Sequence, residues 1–144
     1  IKYTDQILLA GSCFTEQIGR KLAAHKFNVR ENPHGILFNP VSIAKAIRHY
    51  TERKVFSVDE LFYYNELWAS RDHQTRFSDP DKEMALSSIN DGISAAATFI
   101  KKADWLILTL GAAFLYEWKD IKNTGNYENA AANCHKIPTD KFNR

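Results

Sequence analysis

Features that mark several protein classes are scarce in this sequence. It carries two cysteines, Cys13 and Cys134, in 144 residues, far from the dense spacing of a secreted disulfide scaffold. Free thiols in a reducing compartment, and so a cytoplasmic address, are the expectation. No apolar run approaches the ~20 residues that cross a bilayer, and no basic stretch followed by a hydrophobic one opens the chain. Neither a membrane span nor a signal peptide is therefore expected. Charge of one sign is also missing: 19 basic against 17 acidic residues leave a net charge of +2, without runs of like charge. Nucleic acid as a partner gets no electrostatic support. Gly11 stands alone, with no glycine-rich run and no Gly-Lys-Ser/Thr, which argues against a phosphate-binding loop. Internal repeats and low-complexity segments are absent.

What is present suffices for one domain. Hydrophobic residues make up 44% of the chain, enough for a core at this length. Gln6 to Ala10 reads as a buried strand that Gly11-Ser12-Cys13 hands to a helix over about Phe14 to His25, with Ile18 and Leu22 at helical spacing. Phe27 to Arg30 is a second strand, and Asn32-Pro33-His34-Gly35 a loop. Asn39-Pro40 starts a helix whose apolar face is Ile43, Ile47 and Tyr50, and Ser57 with Glu60 fits a capping box. Leu67 to Ser70 is extended, and the longest helical pattern covers about Asp81 to Lys102. Trp105 to Leu110 is expected as a second fully buried strand ended by Gly111. Phe114 to Trp118 should be a strand, Asn123-Thr124-Gly125-Asn126 a turn, and Tyr127 to Lys136 the hairpin partner.

This alternation of strands and helices predicts an α/β fold, three layers αβα around a mainly parallel sheet. Sites in such sheets lie beyond the C-terminal strand ends. That places Gly11 to Thr15 and Thr109 to Ala113 in one expected crevice.

Gly11-Ser12-Cys13-Phe14-Thr15 closely resembles the Gly-Ser-Cys-Phe-Ala signature of the GSCFA domain family. Gly35-Ile36-Leu37-Phe38-Asn39-Pro40, Thr109 to Glu117 and Ala132-Asn133-Cys134-His135-Lys136-Ile137-Pro138 resemble later segments of that family in the same order. The family is similar to the SGNH, or GDSL-like, hydrolases, which implies a flavodoxin-like αβα fold and action on ester-linked acyl groups. Matching Gly-Asp-Ser of those hydrolases to Gly11-Ser12-Cys13 puts Cys13 at the nucleophile position. Two of their blocks are missing: Gly111-Ala112-Ala113-Phe114 stands where Gly-x-Asn-Asp is expected, and no Asp-x-x-His occurs. The resemblance therefore implies that residues 1–144 are the N-terminal part of a longer domain.

Cys13 is the candidate nucleophile, since a helix N-terminus favours thiolate over thiol. The competing reading is a small apolar residue packed under the helix. Ser12 is either nucleophile or helix cap. His135 would be the general base if its segment folds back over the crevice; otherwise it is a surface histidine at a strand end. His73 lies in a polar loop that lines a site or is merely solvated, while His25 and His49 look structural or exposed. Gly35, Asn39, Gly111 and Asn133 are the candidates for holding an oxyanion or substrate. Zinc on Cys13, Cys134, His135 and His73 is poorly supported, because neighbours on a strand face opposite sides; no metal or other cofactor is implied. The expected function is an ester hydrolase or acyl transferase acting on a small-molecule, glycan or lipid ester. The alternative is a carbohydrate- or lipid-binding module that keeps the hydrolase fold.

Overall fold

In the computed structural model, residues 1–122 and 127–144 are described; the turn expected at Asn123 to Asn126 lies outside them. The chain builds a small parallel sheet and three helices. Strand β1 (Gln6–Gly11) runs between β2 (Asn28–Glu31) and β5 (Trp105–Thr109), with Ile7 opposite Val29 and Trp105, and Gly11 opposite Thr109. Its continuous apolar run suits that central place: Ile7, Leu8, Leu9 and Ala10 are all buried, each larger side chain contributing about 1.5–3 kcal/mol.

Helix α1 (Cys13–Ala24) follows β1 directly and lies close to β2, its Gly19 packed against the Glu31 side chain. Helix α2 (Pro40–Glu52) starts as its sequence predicts: the Asn39 side chain accepts from the Ser42 amide at 2.7 Å, and Pro40 takes the first position. Helix α3 (Lys82–Ile100) is capped by Asp81, which accepts from Glu83 and Met84. Leu8 and Ala10 pack into one core with Ile43, Ala46 and Tyr50 of α2 and Ala96 of α3. The Ser57–Glu60 capping box forms but supports a single 3-10 turn, Val58–Glu60. It leads into the hairpin β3 (Leu61–Tyr64) and β4 (Leu67–Ser70).

Two expectations need correction. Strand β5 is not fully buried: Trp105, Leu106 and Leu108 are each 45–46% exposed, because β5 pairs only with β1 and forms the sheet edge among the described residues. Nor is the region after β5 a hairpin of Phe114–Trp118 with Tyr127–Lys136. Strand β6 (Glu117–Trp118) pairs with β7 (Phe142–Asn143), and the 127–136 stretch touches β6 through one bridge, Glu117 to Ala130. Positive φ at Tyr127, His135 and Lys136 turns that stretch out of strand geometry. No helix among the described residues is long and apolar enough to cross a membrane.

Candidate functional site

At the C-terminal end of β1 the chain turns sharply. Gly11 has φ 145°, and a Cβ there would collide with the Thr109 carbonyl oxygen, so only glycine allows this approach of β1 to β5. Its amide donates to the Asn32 side-chain oxygen at 2.8 Å, and its carbonyl accepts from Leu37 at 2.9 Å. Ser12 is next. Its amide donates to Thr109, and its hydroxyl lies 3.0 Å from Thr109 Oγ1, which also meets the Thr15 hydroxyl. Tied to Thr109, the Ser12 side chain makes no cap bond to α1.

That choice leaves the start of α1 open. The first amides of a helix have no partner within it, and among the described residues those of Cys13 and Phe14 make no hydrogen bond. Cys13 is the first residue of α1, exposed and free. The arrangement offers a thiol beside unbonded N–H groups at the positive end of a helix, where an oxyanion is favoured.

Beside this mouth lies a cavity of about 450 Å³. It is lined by Phe38, Asn39, Ala112, Phe114, Tyr116 and residues 131–134. Gly111 connects the two features: a Cβ there would come within 2.8 Å of Phe38 and 3.2 Å of Ser12. The amides of Gly111 and Ala112 both donate to the Phe38 carbonyl. The half-buried Cys134 thiol lines this cavity, and burial pushes its pKa up.

The histidines lie elsewhere. Four of the chain's five are buried: His34, His49, His73 and His135. His34 Nδ1 is 2.8 Å from the Tyr50 hydroxyl and its Nε2 is 3.1 Å from His49 Nδ1, while its ring stacks on His73 at 4.1 Å. His73 Nδ1 meets the Ser70 hydroxyl at 2.9 Å, and its Nε2 is buried without a partner. His135 donates from Nε2 to the Ser70 carbonyl at 3.0 Å and places Nδ1 3.3 Å from the Thr75 hydroxyl. Burial above all, with the Lys45 charge at His49 and the His49, His135 and Lys45 charges at His73 acting the same way, pushes both rings down to about 3. Burial pushes His34 well down as well, and it lowers His135 although the bond to Ser70 opposes it. Lys45 stands alongside, paired with Asp72 at 2.8 Å and Glu128 at 3.2 Å. Burial alone would lower its pKa, but these carboxylates raise it.

The expected site residues therefore fall into separate neighbourhoods. Ser12, Cys13 and Gly111 meet at the mouth of α1, and Asn39 and Asn133 share the cavity wall. Gly35 packs on Gln74, and its amide donates to the Asn32 carbonyl. His73 is buried rather than solvated, and of the two expectations for His49, structural or exposed, its burial fits the first. His135 is bonded at its two ring nitrogens to the Ser70 carbonyl and the Thr75 hydroxyl, and neither bond is to Cys13. No group of three or more His, Cys, Asp or Glu among the described residues could hold a metal ion.

Sequence reasoning singled out neither His34 nor Asn32, placed Thr109 in the expected crevice without a role, and left His49 as structural or exposed. The signal for His49 was its position three residues after Ala46, on the buried stripe of α2. Thr109, two residues before Gly111, was legible as the start of the stretch expected in the crevice. Among family models, that of the GSCFA family matches residues 6–144. No curated protein and no solved structure matches the chain.

Proposed function

The chain belongs to the GSCFA family, and from that premise we propose that it transfers or hydrolyses an ester-linked acyl group with Cys13 as nucleophile, on an SGNH-like, three-layer flavodoxin-type domain. The observation that carries this reading is the exposed Cys13 at the first position of α1, following the central strand directly, with the first amides unbonded. In the step proposed, Cys13 Sγ bonds to the acyl carbon and the ester C–O bond breaks. The leaving alkoxide takes the thiol proton, and water or an acceptor alcohol then releases the acyl group from the thioester. The amides of Cys13 and Phe14 face the charge that develops on the carbonyl oxygen. Ser12, its hydroxyl on Thr109, positions this turn.

A second reading is supported by the bonding of the histidines: with His135 tied to Ser70 and Thr75, a binding module that keeps the fold without its chemistry uses the same cavity. Incubation with short p-nitrophenyl esters separates the two. Turnover that is lost in Cys13→Ala supports acyl transfer; ester binding without turnover in either protein supports the binding module.

A further inference from the structure

The cavity beside the α1 mouth has a chemistry that its location alone does not dictate. None of its nine lining residues is charged. Five of them, Phe38, Ala112, Phe114, Ala131 and Ala132, offer only hydrocarbon side chains. The two amides in its wall are each committed at one end. Asn39 Oδ1 accepts from the Ser42 amide, and Asn133 Oδ1 accepts from the His135 amide at 2.8 Å. What each amide retains at the wall is its Nδ2 donor. An apolar lining with amide donors matches a ligand that pairs a hydrocarbon body with an uncharged acceptor, and it offers a cation no carboxylate while the Arg144 guanidinium, 4.2 Å from the Phe114 ring centroid, repels one. Its volume of about 450 Å³ is that of a small-molecule site. Phe38 extends from this wall to Gly111, which abuts Ser12 at the α1 mouth.

We infer that the cavity walled by Phe38, Ala112, Phe114 and residues 131–134 is an acyl-chain pocket, holding the hydrocarbon of a medium-chain acyl group, with Asn39 and Asn133 as the amide donors of its wall. The inference deepens the proposed acyl transfer and rests on it for the origin of the acyl group, but the binding it describes does not need Cys13.

The test is calorimetric titration of the full chain with octanamide, acetamide and octylammonium, together with the Ala112→Phe, Phe114→Ala and Cys13→Ala variants. Ala112 and Phe114 are not core residues, and melting curves confirm that the variants are folded. The pocket predicts saturable binding of octanamide at least tenfold tighter than acetamide or octylammonium, an unchanged affinity in Cys13→Ala and at least a tenfold loss in Ala112→Phe. In Phe114→Ala the preference moves to longer amides. Equal affinities for the three probes, or octanamide binding that Ala112→Phe leaves intact with Phe114→Ala also without effect, overturns the pocket. Octanamide binding in a protein without esterase turnover upholds the pocket while removing the acyl-transfer reading. Turnover indifferent to acyl length does the reverse.

Discussion

The buried histidine cluster and the open mouth of α1 hold the chain's two kinds of reactive side chain under opposite conditions. His34, His49, His73 and His135 are enclosed, stacked or hydrogen-bonded to one another, to Tyr50, to Ser70 and to Thr75. Burial favours the neutral form of all four, and the Lys45 charge adds to it at His34, His49 and His73. Cys13 is exposed beside unbonded helix amides. Residue type alone would have assigned catalysis to both places. Environment divides them: the histidine rings are enclosed, and the Cys13 thiol is open to solvent.

The largest expected effect comes from acid. His49 and His73 sit at about 3 in the folded chain against ~6.5 when unfolded. Their contribution is complete above pH ~6.5 and is lost as pH falls toward ~3, because only the unfolded chain takes up protons in that window. By pH ~4.5 the two together remove roughly 5 kcal/mol, comparable to the whole stability of a small domain. His34 and His135 act in the same direction. Circular dichroism during an acid titration should therefore show cooperative unfolding well above pH 3; a fold that persists unchanged to pH 3.5 would break the contrast.

Deleting one ring is the next largest effect. His73→Ala removes the stacking on His34 and the bond to Ser70, with a loss on the order of 2–4 kcal/mol in urea unfolding. His73→Phe, which keeps the shape and does not titrate, should lose less and also shed one proton from the acid transition. His25→Ala, at an exposed helix end, should stay within about 0.5 kcal/mol.

Smaller still is the effect on stability at the mouth of α1. Cys13→Ala changes an exposed side chain and should shift unfolding by no more than about 0.5 kcal/mol, even as it removes the proposed acyl transfer. Alkylation at neutral pH sharpens the same contrast within one residue type. Cys13 should react first, since burial both shields Cys134 and raises its pKa; equal labelling rates would count against it.

How far the sequence could be read follows from the range of the forces involved. The α2 cap at Asn39 and Pro40, the Ser57–Glu60 box and the strand run Ile7 to Ala10 are local or periodic, and they appear where the sequence predicts. The exposure of β5 was not legible, because Trp105 to Leu110 is apolar whether a strand or nothing covers its edge. The 127–136 stretch follows turn residues that suggest a returning strand, but it takes left-handed turns at Tyr127, His135 and Lys136 and bonds to the segments around β6 and after β4. For the site, the turn at Gly11 to Cys13 was readable from glycine and helix spacing. The gathering of four histidines was not: they come from a loop, a helix and two distant turns, and only tertiary contact unites them.

The central claim is that chemistry belongs to Cys13 and not to the histidine cluster or the serines near it. Intact-mass and peptide mass spectrometry after a brief exposure to p-nitrophenyl octanoate at neutral pH tests it most directly. The account predicts a single octanoyl group, mapped to Cys13 and absent in Cys13→Ala. An adduct on Ser12 or Ser70 instead, or ester turnover that survives Cys13→Ala, would contradict it.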